Sequence, residues 1–99
     1  MEDIKTRLRA DLAEVLWQDL IPHSKRDAVI VVSPTLDLVS VGVAIAEDNT
    51  ALVQLWIQQS LVYKPTPAQL SDWNAHVNTV FCTLIVQPFV LVRAPEALA

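Results

Sequence analysis

Glycine and cysteine are almost missing from this chain: Gly42 and Cys82 are each the single residue of their type among 99. With one glycine, neither a phosphate-cradling P-loop nor a dinucleotide fingerprint can be written, because both need several positions where backbone comes close to phosphate. With one cysteine there is no intramolecular disulfide and no thiolate zinc cage, so packing alone must hold the fold. Charge is sparse as well, at 18% of residues, and it leans acidic: 7 Lys+Arg against 11 Asp+Glu, a net −4. No basic residue lies between Asp27 and Lys64, a span that also carries Asp37, Glu47 and Asp48. Nucleic-acid binding runs on clustered cations that neutralise phosphates, and this surface would repel them. The small basic group Lys5, Arg7 and Arg9 is offset by Asp3 and Asp11, each four residues from Arg7. Long apolar runs are absent too. Ser40, Gly42, Glu47 and Asp48 break the richest stretch well short of the roughly 18 to 20 residues that cross a bilayer, so no membrane association is expected. The segment Met1-Glu2-Asp3-Ile4-Lys5 has neither the basic start nor the continuous apolar stretch of a secretory signal, and the chain reads as cytoplasmic.

What is present is hydrophobic: 53% of residues, enough for one core and far from the composition of a disordered chain. Residues 1–99 read as one domain, with a frayed tail over 95–99. From Asp3 to Leu20, the residues Ile4, Leu8, Leu12, Val15, Leu16 and Leu20 repeat at helical spacing, which predicts one long amphipathic helix ended by Pro22. Ala28 to Val32 is β-branched and apolar on both faces, a buried strand. Ser33-Pro34 looks like a helix start. The following stretch, 36–46, fits strand alternation or helical spacing, and helix is chosen because of that cap. Asn49 can cap a second helix from Thr50 to about Gln59 that carries Trp56, and Leu61-Val62-Tyr63 suits a short strand. Thr66-Pro67-Ala68-Gln69 has the form of a capping box, opening a helix that runs through Trp73 toward Phe81. Leu84 to Val92 reads as one long strand. Pro88 cannot donate to a ladder, which puts that strand at a sheet edge or gives it a bulge. The expectation is an α+β domain of about four helices on a two- or three-stranded sheet.

Trp17, Leu36-Asp37-Leu38-Val39, Ala46-Glu47-Asp48, Trp56, Trp73 and the closing Val86-Gln87-Pro88-Phe89-Val90-Leu91-Val92 together resemble a family of short bacterial proteins, a domain of unknown function found in cyanobacteria and proteobacteria. The resemblance runs from about Ile4 to Arg93. It implies no activity and assigns no residue a role.

Chemistry must therefore be weighed residue by residue. Cys82 with His23 or His76 has the makings of a thiolate–imidazole pair. Against that, Cys82 sits in the apolar run Val80-Phe81-Cys82-Thr83-Leu84, where a free cysteine behaves as a small buried hydrophobe. Asp72 and His76, four apart on a helix, are only half of a metal site, and with no third ligand near in sequence they read as an ordinary surface ion pair. Glu47-Asp48-Asn49 is oxygen-rich but lacks the ligand alternation of a calcium loop. Asp37 in the first turn of a helix suits the helix dipole. No catalytic, cofactor-binding or metal-binding set emerges, so the reading leans away from an enzyme without settling the matter, and no cofactor is expected.

Association is the remaining theme. Three tryptophans and an apolar strand expected at an edge call for a cover, and a second copy of the chain is the commonest one. The reading is a cytoplasmic interaction module that forms a homodimer, with Trp17, Trp56, Phe89 and Leu91 as interface residues. The alternative is a small-molecule-binding or hydrolytic protein with a pocket between helices and sheet, using Cys82, His76 or Asp37.

Overall fold

The structure is a computed structural model, and it describes residues 3–93. The tail expected to fray, 95–99, lies outside them. Ten elements follow in order: α1 (Ile4–Ala10), β1 (Ala13–Leu16), α2 (Trp17–Lys25), β2 (Val29–Val32), α3 (Leu38–Ala46), α4 (Thr50–Gln58), β3 (Val62–Tyr63), α5 (Pro67–Ala75), β4 (Val80–Val86) and β5 (Phe89–Arg93). The strands form one mixed sheet in the order β1-β4-β5-β2-β3. β2 and β5 are parallel, and every other pairing is antiparallel. The α+β reading holds, with five helices and five strands among the described residues where fewer of each were expected.

Period-two alternation explains why β2 is apolar throughout. Val29 and Val31 enter one core with Trp17, Leu20, Trp73, Phe81, Val90 and Val92. Val32 enters a second core with Leu8, Leu38, Val39, Val41, Leu84 and Leu91. Thus α2 and α5 cover one face of the sheet, while α1, α3 and α4 cover the other.

Two corrections come from pairing between distant segments. The helix expected over 3–20 is instead α1, β1 and α2, because Ala13 to Leu16 is drawn into the sheet, opposite Thr83 to Val80. Leu8 and Leu20, which share a stripe in the sequence, therefore end on opposite sides of the sheet. Pro22 does not end α2 but sits inside it. Gln18, whose carbonyl loses its donor there, and Pro22 are both exposed, so solvent can take up the missing bond.

The strand expected over 84–92 is a hairpin. Val86 pairs with Phe89 across a two-residue turn, Gln87–Pro88, with the peptide between them cis. Pro88 has no ladder donor to lose at a turn. β4 and β5 are interior strands, flanked by β1 and β2, so this segment does not form the exposed edge that its sequence suggested. The remaining differences are of boundary. α3 begins at Leu38 with Asp37 as N-cap instead of at Pro34. α5 ends at Ala75 instead of near Phe81, which is committed to β4. The two local caps stand as read: Asn49 accepts from the Leu52 N–H, and Thr66 and Gln69 form the reciprocal box.

At the start of α3 the Ser40 hydroxyl donates to the Asp37 carboxylate at 3.0 Å. That bond, more than any other influence, holds the Asp37 pKa below its ordinary value. Slight burial opposes the shift, while the nearby N–H groups of Ser40 and Val39 and the charge of Lys5 assist it. A carboxyl whose folded pKa is depressed contributes stability above its unfolded pKa and loses it as pH falls through the folded value. The stability gap between wild type and Asp37→Asn, read from urea unfolding, is expected to stay constant above about pH 5 and to close below the ordinary carboxylate range. A gap that persists unchanged at acid pH would contradict this assignment.

Candidate functional site

α4 is the element whose sequence and position disagree. Its residues Ala51, Leu52, Val53, Leu55, Trp56 and Ile57 are apolar over much of the circumference, and such a helix is normally enclosed. Here it lies over the β3 side of the sheet, and none of its residues is fully buried. Trp56 packs against the core while remaining half-buried, and Ile57 is 52% exposed. The stretch from Asn49 to Tyr63 contains no charged residue at all. Surface segments normally carry charge, and depletion of charge marks the centre of interfaces.

The tip of the β4–β5 hairpin adjoins this helix and extends the apolar surface. Alternation turns Ile85 to one face and Phe89 to the other, and both remain open, at 53% and 37% exposed. Beside Phe89, a groove of about 250 Å³ runs between the end of α3 and the start of α4, lined by Ile45, Asp48, Asn49, Val53 and Ile57. Ile57 also lines a second groove, with Ile30, Val62, Tyr63 and Lys64. Beside Ile85, on the opposite face, a cleft is lined by His23, Arg26, Ala28, Pro88 and Val90. The hairpin tip is therefore an apolar ridge between a groove that holds a carboxylate and a cleft that holds a guanidinium.

The residues singled out from sequence fall in different places. Trp17 and Leu91 are fully buried and have no surface to offer a partner in this fold. Trp17 sits in an aromatic cluster with Trp73 and Phe81, and Leu91 is held in the middle of the sheet by pairing with Ile30 and Leu84. Phe89 reaches the surface beside the groove, and Trp56 is half-buried on α4, packed against the core. Cys82, half-buried on β4, stands in register with Glu14 and Arg93 and makes no hydrogen bond to an imidazole among the described residues. His23 is engaged with Arg26 at 2.5 Å and His76 with Asp72 at 3.5 Å. Among the described residues no group of three His, Cys, Asp or Glu could hold a metal ion. Asp37 is spent on Ser40 and the α3 terminus, and the Arg93 guanidinium donates to the Leu36 carbonyl at 2.5 Å. Ile57 and Ile85 were passed over in the sequence reading. The signal that points to Ile57 is the fifteen-residue run without charge from 49 to 63.

No curated protein matches the chain. The fold is similar to the NMR solution structure of PA1075 from Pseudomonas aeruginosa, with a TM-score of 0.79 at 25% identity, covering 100% of this chain and 93% of that one. The family model described as protein of unknown function (DUF2288) matches residues 3–94, nearly the whole chain, and the protein belongs to that family.

Proposed function

We propose that the protein is a small interaction module that self-associates as a homodimer through α4 and the tip of the β4–β5 hairpin. The observation that carries this reading is α4 itself: an uncharged, largely apolar helix with no fully buried residue, whose open Ile57 lines one groove with the open Phe89 of the hairpin tip, while Ile85 carries the apolar tip onto the other face. Contiguous apolar surface of this kind is unusual on a protein that works alone. The sheet edges are poorer candidates. β1 is four residues long with Glu14 exposed on it, and β3 is two residues long and followed by Lys64-Pro65; short strands, charge and proline all blunt an edge. A ligand pocket is the second reading: the cleft beside Ile85, about 460 Å³, falls within the roughly 300–1,000 Å³ of typical small-molecule sites, but it brings together only His23, Arg26 and Gln87 as polar side chains, and the groove beside Phe89, about 250 Å³, falls below that range. The module is read as cytoplasmic; no described helix is long and apolar enough to cross a membrane.

Light scattering after size exclusion, over a hundredfold dilution, tests the proposal. Wild type is expected at about 22 kDa, twice the 11.0 kDa chain mass. The double variant Ile57→Lys/Ile85→Lys is expected at the chain mass. Its unfolding free energy at fixed protein concentration should drop only by the loss of association, because both positions are exposed and surface changes normally cost within about 0.5 kcal/mol. A wild type that stays at 11.0 kDa throughout would sink the reading.

A further inference from the structure

The two flanks of the hairpin tip carry opposite charge, and we infer that this makes the surface complementary to a second copy of itself, with Arg26 of each subunit meeting Asp48 of the other. The inference rests on the self-association proposed above and adds its geometry. On one flank Arg26 lines the cleft with Ile85 and Pro88. On the other, Asp48 lines the groove with Phe89. Both residues are exposed. The ion pairs among the described residues are Lys64 with Asp27 and His76 with Asp72, so neither Arg26 nor Asp48 is neutralised by a described neighbour. Arg26 instead stands beside His23, which offers it no negative charge. The Asp48 backbone is committed: its φ is 58° and its N–H donates to the Ile45 carbonyl at 3.1 Å, which fixes the residue in the lining of the groove.

Twofold symmetry turns this arrangement into recognition. In a dimer of this kind the axis lies in the plane of contact, and each patch meets its own image reversed about that axis. With the axis across the hairpin tip, parallel to the sheet and perpendicular to its strands, apolar tip meets apolar tip end on, and the basic flank of each copy faces the acidic flank of the other. Two Arg26–Asp48 contacts form at once, at the rim of an uncharged centre, the usual place for charges that set orientation. A copy docked in parallel would set Arg26 on Arg26 and Asp48 on Asp48, and repulsion rejects it.

Arg26→Glu and Asp48→Lys test the pairing. Each variant alone places like charges at both contacts, and its dimer dissociation constant is expected to rise at least about tenfold. Mixed one to one, the two variants pair opposite charges at both contacts, and the heterodimer should form with near wild-type affinity. Light scattering and a tagged pull-down of one variant by the other read this directly. Because Asp48 has a left-handed backbone that lysine tolerates poorly, Asp48→Asn serves as a second variant: asparagine accepts that conformation, and loss of the charge alone should still weaken the dimer. A dimeric wild type whose single variants associate as tightly as it does, or whose mixture fails to recover, would overturn this inference and leave self-association standing. Wild type that is monomeric throughout removes both, and a mass that climbs beyond two chains with concentration indicates head-to-tail contact and overturns the closed pairing.

Discussion

Trp17→Ala is expected to lower stability by about 3–5 kcal/mol, the range for removing a large aromatic side chain from a core. The side chain is fully buried and joins three elements at one point. Its ring centroid lies 5.1 Å from that of Trp73 on α5 and 5.4 Å from that of Phe81 on β4, and those two are 5.0 Å from each other. The indole N–H donates to Asn74 Oδ1 at 2.8 Å, so the polar atom that enters the core with the ring is paired. Alanine removes one corner of this triangle and leaves a cavity between the rings of Trp73 and Phe81, which are held on α5 and β4. Domains of this size have roughly 5–15 kcal/mol in total, and each kilocalorie moves the melting temperature by about 4–8 °C. A fall of at least about 12 °C is expected by calorimetry. Trp17→Phe keeps a ring and gives up the hydrogen bond, and it should lose far less. A fall under about 4 °C for the alanine variant would mean that the cluster is not the keystone of this face.

On the other face the largest effect is expected at Leu84, and it should depend on the residue at 42. Leu84 is fully buried on an interior strand, and truncation to alanine should cost about 2–5 kcal/mol. α3 approaches β4 so closely that a methyl group on Gly42 would stand 2.7 Å from Leu84 Cδ2 and 3.3 Å from Val86 Cγ2. In an open helix Gly→Ala gains about 1 kcal/mol. Here the methyl meets a side chain that is enclosed on every side, and overpacking of that kind costs about 1–3 kcal/mol. Gly42→Ala is therefore expected to be mildly destabilising in wild type. In the Leu84→Ala background the colliding methyl is gone and a cavity stands in its place, so the same substitution should become stabilising. Urea unfolding of the four proteins of the cycle gives the coupling, expected at about 1–3 kcal/mol. Additivity to within about 0.5 kcal/mol would show that α3 and β4 do not meet as described.

Both predictions rest on features that the sequence shows unequally. The elements legible in it are those whose information is local. Asn49 and the Thr66–Gln69 box announce α4 and α5, because capping satisfies backbone groups within three or four residues. β2 is legible because an uninterrupted β-branched run suits a strand covered on both faces. The charge-free stretch from Asn49 to Tyr63 is equally plain, and it marks the helix that the interface proposal uses.

What tertiary structure decided is which of these apolar residues face inward. Leu12 to Leu16 has helical spacing, yet the strand forms because β4 supplies a hydrogen-bonding partner some seventy residues away, which no local pattern records. The same pairing restarts the helical phase at Trp17. Measured against the long helix that the pattern suggested, Trp17 lies off the stripe; as the first residue of α2 it shares a core with Leu20. Leu91 is enclosed because β5 lies between β4 and β2, and Phe89, two residues earlier on the same strand, is open because the hairpin tip passes beyond the covering helices. The sequence determined the composition, the caps and the apolar surplus of the 49–63 stretch by itself, since these depend on residue type and near neighbours. The sheet order, the division of the core into two and the exposure of α4 were settled by the tertiary fold, because strand pairing and layer packing join segments whose sequences carry no mark of each other.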